Sequence, residues 1–186
     1  SYIEKFRNEI TCKEVKNNKH PLYSLHRPRK EQIFVKNRKL IGVITGDKII
    51  VALDEEMTYP TDGLYLFSAD EGVHENYLMG ILNSKLFVFV YRLLTLEKGR
   101  VLPQVKPTIL TKLPVKYIDF ENQYEKSLHD QVVSSVSNMI NLKQKIEISK
   151  ISQTKTILQR QIQTTDRQID KLVYQLYDLT DEEIKI

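Results

Sequence analysis

The residues of this chain that could make or break bonds are few and scattered. Its four histidines, His20, His26, His74 and His129, follow no metal-ligand spacing. His74-Glu75 lacks the second histidine four residues on that a zinc-protease helix needs. Cys12, the one cysteine, excludes an internal disulfide and a cysteine-ligated zinc finger, and with no histidine at a fixed spacing it reads as an incidental thiol. Two triplets, Glu14-Val15-Lys16 and Glu183-Ile184-Lys185, have the acid-x-lysine form of a metal-dependent nuclease but no convincing preceding Pro-Asp. There is no glycine-rich dinucleotide loop, no phosphate loop and no Gly-x-Ser-x-Gly elbow. The carboxylates between 54 and 75 do not follow calcium-loop spacing. The expectation is a binding or specificity module with no catalytic and no metal-ligating residues of its own.

Charge is where the sequence speaks more clearly. The 186 residues carry 28 Lys and Arg against 24 Asp and Glu, net +4, with 41% apolar residues, a folded composition. Residues 1–53 hold twelve basic and five acidic side chains, and residues 54–84 hold seven acids and no base. Residues 80–116 hold seven bases and one acid, whereas 117–186 are mixed at net −2. Basic segments interleaved with Tyr and Gln suit a surface laid along phosphates. The longest apolar run, Leu86 to Tyr91, is far short of the roughly 20 residues that span a bilayer. No signal-peptide pattern and no Asn-x-Ser/Thr sequon occur, and the expected location is cytoplasmic. The chain starts at Ser1, which points to a piece of something larger.

The elements that must position these charges divide in two. Every Pro and Gly lies between 21 and 114, and the 72 residues from Val115 to Ile186 have none. In the first part, Gln32 to Val35, Leu40 to Thr45, Lys48 to Leu53 and Leu64 to Phe67 read as strands, with a hairpin turn at Gly46-Asp47. Glu75 to Leu82 and Lys85 to Leu96 read as helices separated and capped by Asn83-Ser84. Val101 to Val115, with prolines at 103, 107 and 114, reads as extended edge strand and loop. In the tail one apolar seam runs through Leu128, Val132, Met139, Leu142 and Ile146. A second runs through Ile148, Ile151, Leu158, Ile162, Ile169, Leu172 and Leu176, with Lys155 and Thr165 as exceptions. The two-residue offset between them predicts a break and a hairpin of helices at about 122–148 and 154–177, with a capping box at Thr180 to Glu183 opening a short terminal helix from 181. The fold class expected is α+β, a mixed small-sheet recognition region over 1–120 followed by a long helical region over 121–186.

Four segments carry a family resemblance: Arg27-Pro28-Arg29-Lys30-Glu31-Gln32-Ile33-Phe34, Ile81-Leu82-Asn83-Ser84-Lys85-Leu86, Leu110-Thr111-Lys112-Leu113-Pro114-Val115, and the stretch from Arg167 to Ile184. In this order they resemble the TaqI-like C-terminal specificity domain of type II restriction-modification enzymes and adenine-specific DNA methyltransferases, over nearly the whole chain and most specifically in the last stretch. The resemblance implies a target-recognition domain. Its partners would be double-stranded DNA and an upstream methyltransferase domain of the same chain. S-adenosylmethionine would be bound upstream, with magnesium there as well if the parent carries a nuclease; this piece would bind no cofactor and no membrane.

On that reading, basic loops fix register through phosphates while a few polar side chains read base edges. The backbone candidates are Arg27, Arg29, Lys30, Lys36, Arg38, Lys39, Lys98, Arg100 and Lys106. The base or groove candidates are Tyr59, Thr61 and Gln104, chosen because they lie in predicted loops. Tyr174 and Tyr177 are expected to pack on the domain, and Asp166 and Asp170 to position the last helix. Three other readings stay open: half of a type I restriction specificity subunit, a helical dimerisation or interaction protein, and a nuclease using one of the acid-x-lysine pairs.

Overall fold

The computed structural model describes residues 2–6, 8–9, 11–19, 21, 31–95, 99 and 101–185. It divides into two units, Ser1–Gln32 and Ile33–Ile186. In the first, a 3-10 turn covers Tyr2–Phe6, where the Tyr2 and Phe6 rings lie 5.3 Å apart, and a single helical turn, α1, covers Lys13–Lys16.

In the second unit, β1 (Lys39–Val43) and β2 (Val51–Asp54) pair antiparallel around a connection that contains Gly46, held at a φ of 147°. β3 (Leu64–Phe67) pairs antiparallel on the other side of β1, so the order is β2-β1-β3. Leu40 is fully buried, as its place on the central strand requires. Gly42 faces Tyr65 on β3, and a Cβ at Gly42 would overlap the Tyr65 ring. The class is α+β.

Three strand expectations need correction. Gln32 to Val35 is a 3-10 turn over Glu31–Ile33 followed by a bend. It has no strand to pair with, and Phe34 instead stacks on Tyr59 at 5.0 Å and 4°. Lys48 to Ile50 lies outside the strand, and β2 begins only at Val51. The 101–115 segment makes one isolated bridge, Gln104 to Thr45, supported by Val105 N–H donating to the Ile44 carbonyl at 2.6 Å. It then closes a single helical turn, α4 (Pro107–Leu110), with proline at the first position, where no N–H is missed.

The helices α2 (Glu75–Asn83) and α3 (Lys85–Leu94) meet at 65°, with Ser84 capping α3 by accepting from the Phe87 N–H. Asn83 is a second joint. Its Oδ1 accepts from the Val51 N–H and its Nδ2 donates to the Val51 carbonyl, so one side chain stands in for a strand neighbour on the β2 edge. Two long helices follow, α5 (Gln123–Ile148) and α6 (Ser152–Leu176), joined by 149–151. Gly80 lets α2 lie close on α5: a Cβ there would sit 2.9 Å from Val132 Cγ1 and Val136 Cγ2. Sheet and helices share one core that runs from Leu40 and Ile49 through Phe87 and Tyr91 to Val132, Val173 and Leu176. Residue 120 thus marks a change of element type inside the unit 33–186. Farther along the hairpin, Leu142, Leu158 and Ile162 form a small core of their own.

Of the seam residues, Ile148 and Ile151 are 79% and 65% exposed because the turn takes them off the interface. Thr165, an exception in sequence, is buried and accepts a hydrogen bond from Asn138 at 3.4 Å. Tyr177 packs edge-on to Phe87, donates to the Pro114 carbonyl and accepts from the Lys116 N–H, both at 2.8 Å. Asp170 accepts from the Lys85 N–H at 2.8 Å. Thr180 and Glu183 form the reciprocal cap, opening a 3-10 turn over Glu183–Lys185. Among the described residues, no single helix is long and apolar enough to cross a membrane.

His74 caps α2 through Nδ1, which accepts the Asn76 N–H at 3.1 Å. Partial desolvation is the largest influence and holds its pKa below 6.5; Glu75 pulls the other way, while Arg38 and His129 add to the lowering. A folded-state value below the unfolded one means that the unfolded chain binds the proton more readily. Stability from this group is therefore complete above 6.5 and is lost as pH falls through 6.5 to the lower folded value. Thermal melts between about pH 8 and 5 are expected to show this acid loss. His74→Asn, which keeps a capping oxygen, flattens the slope.

Candidate nucleic-acid interface

The strand register sorts the expected contact residues to two ends of the sheet. At the end where β1 begins and β2 and β3 finish lie Lys36, Arg38 and Lys39, and from it the β2–β3 connection, which carries Tyr59 stacked on Phe34, runs toward the other end. At the other end, about 15 Å away for five extended residues, lie Thr61, Gln104 and Lys106, beside Thr45. Arg27, Arg29, Lys30, Lys98 and Arg100 lie outside the described residues, as do His20 and His26.

At the first end, the Lys36 ammonium donates to Ser68 Oγ at 3.0 Å. Arg38 meets Glu55 at 2.6 Å and Glu75 at 3.6 Å, so much of its charge is already answered. Lys39 is a correction. Its side chain is 0% exposed and its ammonium sits 2.7 Å from Asp54 Oδ2, its cross-strand partner, where it cannot reach a phosphate. Burial would raise the Asp54 pKa, but the Lys39 hydrogen bond and those from Glu56 N–H, Thr58 Oγ1 and Thr58 N–H outweigh it and hold the carboxyl at about 2.

That carboxylate is also the knot of the following loop. Asp54 accepting from Glu56 N–H and from Thr58 fixes 55–58 in place, and Met57 takes a left-handed φ of 52°, uncommon for a side chain of its kind. The loop holds Met57 and Tyr59 out at 48% and 61% exposure. Sequence reasoning missed Met57. The signal available was Asp54 followed at short range by Glu56 and Thr58, a spacing at which an aspartate folds the chain onto itself. An apolar side chain and an aromatic ring exposed on one loop, whose backbone is already fixed, can stack on a base or wedge a step at low backbone-ordering cost.

At the second end, the Tyr91 hydroxyl accepts from the Lys106 N–H at 2.9 Å and donates to the Gln104 carbonyl at 3.3 Å, which leaves the strand-like backbone of 104–106 fixed and turns both side chains to solvent. Thr61 is exposed, and its carbonyl accepts from the Leu64 N–H. Much of the acidic stretch is engaged internally: Asp54 with Lys39, Glu55 and Glu75 with Arg38, and Asp70 with the Tyr117 hydroxyl. Among the described residues, no group of three or more His, Cys, Asp and Glu side chains is placed to hold a metal ion.

A fixed sheet that offers an amide, hydroxyls, an aromatic ring and cations on loops at both ends is suited to selective contact with another molecule. A family model described as the TaqI-like C-terminal specificity domain matches residues 2–115. The chain belongs to that family. Within the specificity domain so defined fall all twelve expected contact residues, together with Asn83 and the Leu113-Pro114-Val115 turn that Tyr177 clasps. The stretch from Arg167 to Ile184, the most specific part of the resemblance in sequence, lies outside the matched residues. The chain is also similar to the type II methyltransferase M.HincII of Haemophilus influenzae, 28% identical over 156 residues. That alignment covers 77% of this chain and 31% of the relative, so the chain matches about a third of the curated relative's length.

Proposed function

We propose that this chain is the DNA-reading part of a type II restriction-modification methyltransferase. It holds the duplex so that an adenine reaches a catalytic domain elsewhere in the same polypeptide. The observation that carries the reading is the specificity-family match over 2–115, the region that contains both loop ends of the sheet. The methyl donor, S-adenosylmethionine, is assigned to the catalytic domain, as is magnesium if a nuclease accompanies it. Lys36, Lys106 and the basic residues Arg27, Arg29, Lys30, Lys98 and Arg100 set register on phosphates. Met57 and Tyr59 meet bases or a groove from the connection between β2 and β3, and Thr61 and Gln104 from the end of the sheet beside Thr45. The target adenine leaves the helix for the catalytic pocket, and this domain supports the duplex from which it departs.

The test uses the full-length polypeptide, labelled S-adenosylmethionine and duplexes that carry the target or a single mismatch. Tyr59→Ala and Gln104→Ala are expected to reduce discrimination between the two by about 10-fold or more, in line with a loss of about 1–3 kcal/mol per misread base pair. KM for the methyl donor stays unchanged. Discrimination untouched by either substitution overturns the assignment of the loops, and methyl transfer to cytosine overturns the adenine assignment.

A further inference from the structure

We propose that the far end of the α5–α6 hairpin is a second phosphate-binding surface, which grips duplex DNA flanking the recognised sequence; this rests on the DNA-reading function above. The far half of the hairpin is strongly basic. Residues 141–164 hold Lys143, Lys145, Lys150, Lys155 and Arg160 against Glu147 alone, net +4, the net charge of the whole chain. The other residues therefore balance to zero. Asn138 meeting Thr165 sets the register of the two helices, which brings Lys143 level with Arg160 and places Lys150 in the connecting turn.

All five cations are exposed, and none is in an ion pair among the described residues. Four cations nearer the sheet differ: Arg38, Lys39, Arg92 and Lys116 are each within 3.0 Å of a carboxylate. Past Ile140 the apolar packing of the arm is Leu142, Ile146, Leu158 and Ile162, a cluster separate from the main core. Its outer faces carry glutamine, serine and threonine between the cations, side chains that hydrogen-bond phosphate without competing for lysine. From Val136, which packs against Gly80, the arm runs about 20 Å to its turn at 1.5 Å per residue. That is about six base pairs of duplex at 3.4 Å each, enough to reach backbone beyond the bases read by the loops.

Fluorescence anisotropy with a random duplex of about 30 base pairs at several salt concentrations tests this. The variant Lys143→Ala/Lys145→Ala/Lys150→Ala/Lys155→Ala keeps helix-forming residues throughout the arm, and circular dichroism checks its fold. It is expected to lose about 10-fold or more in affinity at low salt, and its salt slope falls by about 2–3, as the loss of that many phosphate contacts requires. Binding equal to that of the unaltered chain overturns the proposal. A comparison variant, Lys36→Ala/Tyr59→Ala/Lys106→Ala, separates the two readings. If it weakens binding and the arm variant does not, the arm fails and the loop function stands. If only the arm variant weakens binding, the arm stands and the loop function fails. No binding by the unaltered chain at low salt overturns both.

Discussion

Lys39→Met is expected to destabilise the domain by about 3–5 kcal/mol, the cost of leaving one partner of a buried ion pair behind. The substitution removes the ammonium 2.7 Å from Asp54 and strands a carboxylate whose surroundings have little water. At about 2–4 °C per kcal/mol for a chain of this size, the melting temperature falls by about 10 °C. The acid limb of stability moves too. Asp54 is held at about 2 against an ordinary 3.8, so its contribution is present above 3.8 and lost as pH falls towards 2. Without Lys39 the carboxyl's value rises and that loss begins at higher pH. The folded fraction is expected to bind DNA with an unchanged salt slope, since the ammonium reaches no phosphate. A reduced slope with an unchanged melting temperature would show instead that Lys39 contacts DNA.

Gly80→Leu is the second large effect. Even a methyl at this position meets Val132 and Val136 at 2.9 Å, and a leucine has no route between them while α2 stays on α5. Overpacking of this kind costs about 1–3 kcal/mol, with the loss of helix–helix contact added to it. The expected melting temperature is about 5–10 °C lower. Val136→Ala, which opens space on the opposing face, recovers part of the loss in the double variant. A Gly80→Leu protein as stable as the parent would mean that α2 does not lie against α5 as described.

Local patterns in the sequence were enough for the hairpin around Gly46, for β3, for the Ser84 cap and for two long helices with a break between them. What they concealed depends on pairing. Lys36, Arg38 and Lys39 look alike in a row of basic residues, yet only the register that sets Lys39 opposite Asp54 buries one of them. Gln32 to Val35 has the composition of a strand but no neighbour to complete it, and its Phe34 serves as a platform for Tyr59. The candidate loops were legible from Pro60 to Gly63 and from Pro103, but their meeting at one end of the sheet, beside Thr45, required knowing the strand order. The charge of the arm was hidden by averaging. Residues 117–186 sum to −2, although 141–164 alone are +4, and the turn at 149–151 folds that basic stretch into one tip away from the acids near the helix bases.

The clasp between Tyr177 and the 114–116 segment has a consequence for how the protein is made. Lys116, Pro114 and Phe87 all complete their surroundings with groups near residues 173–177. A growing chain on the ribosome therefore carries a finished hairpin of strands but an uncovered apolar flank until this late segment emerges. During that interval the nascent polypeptide depends on chaperones, or on whatever has already folded ahead of it, for protection from aggregation.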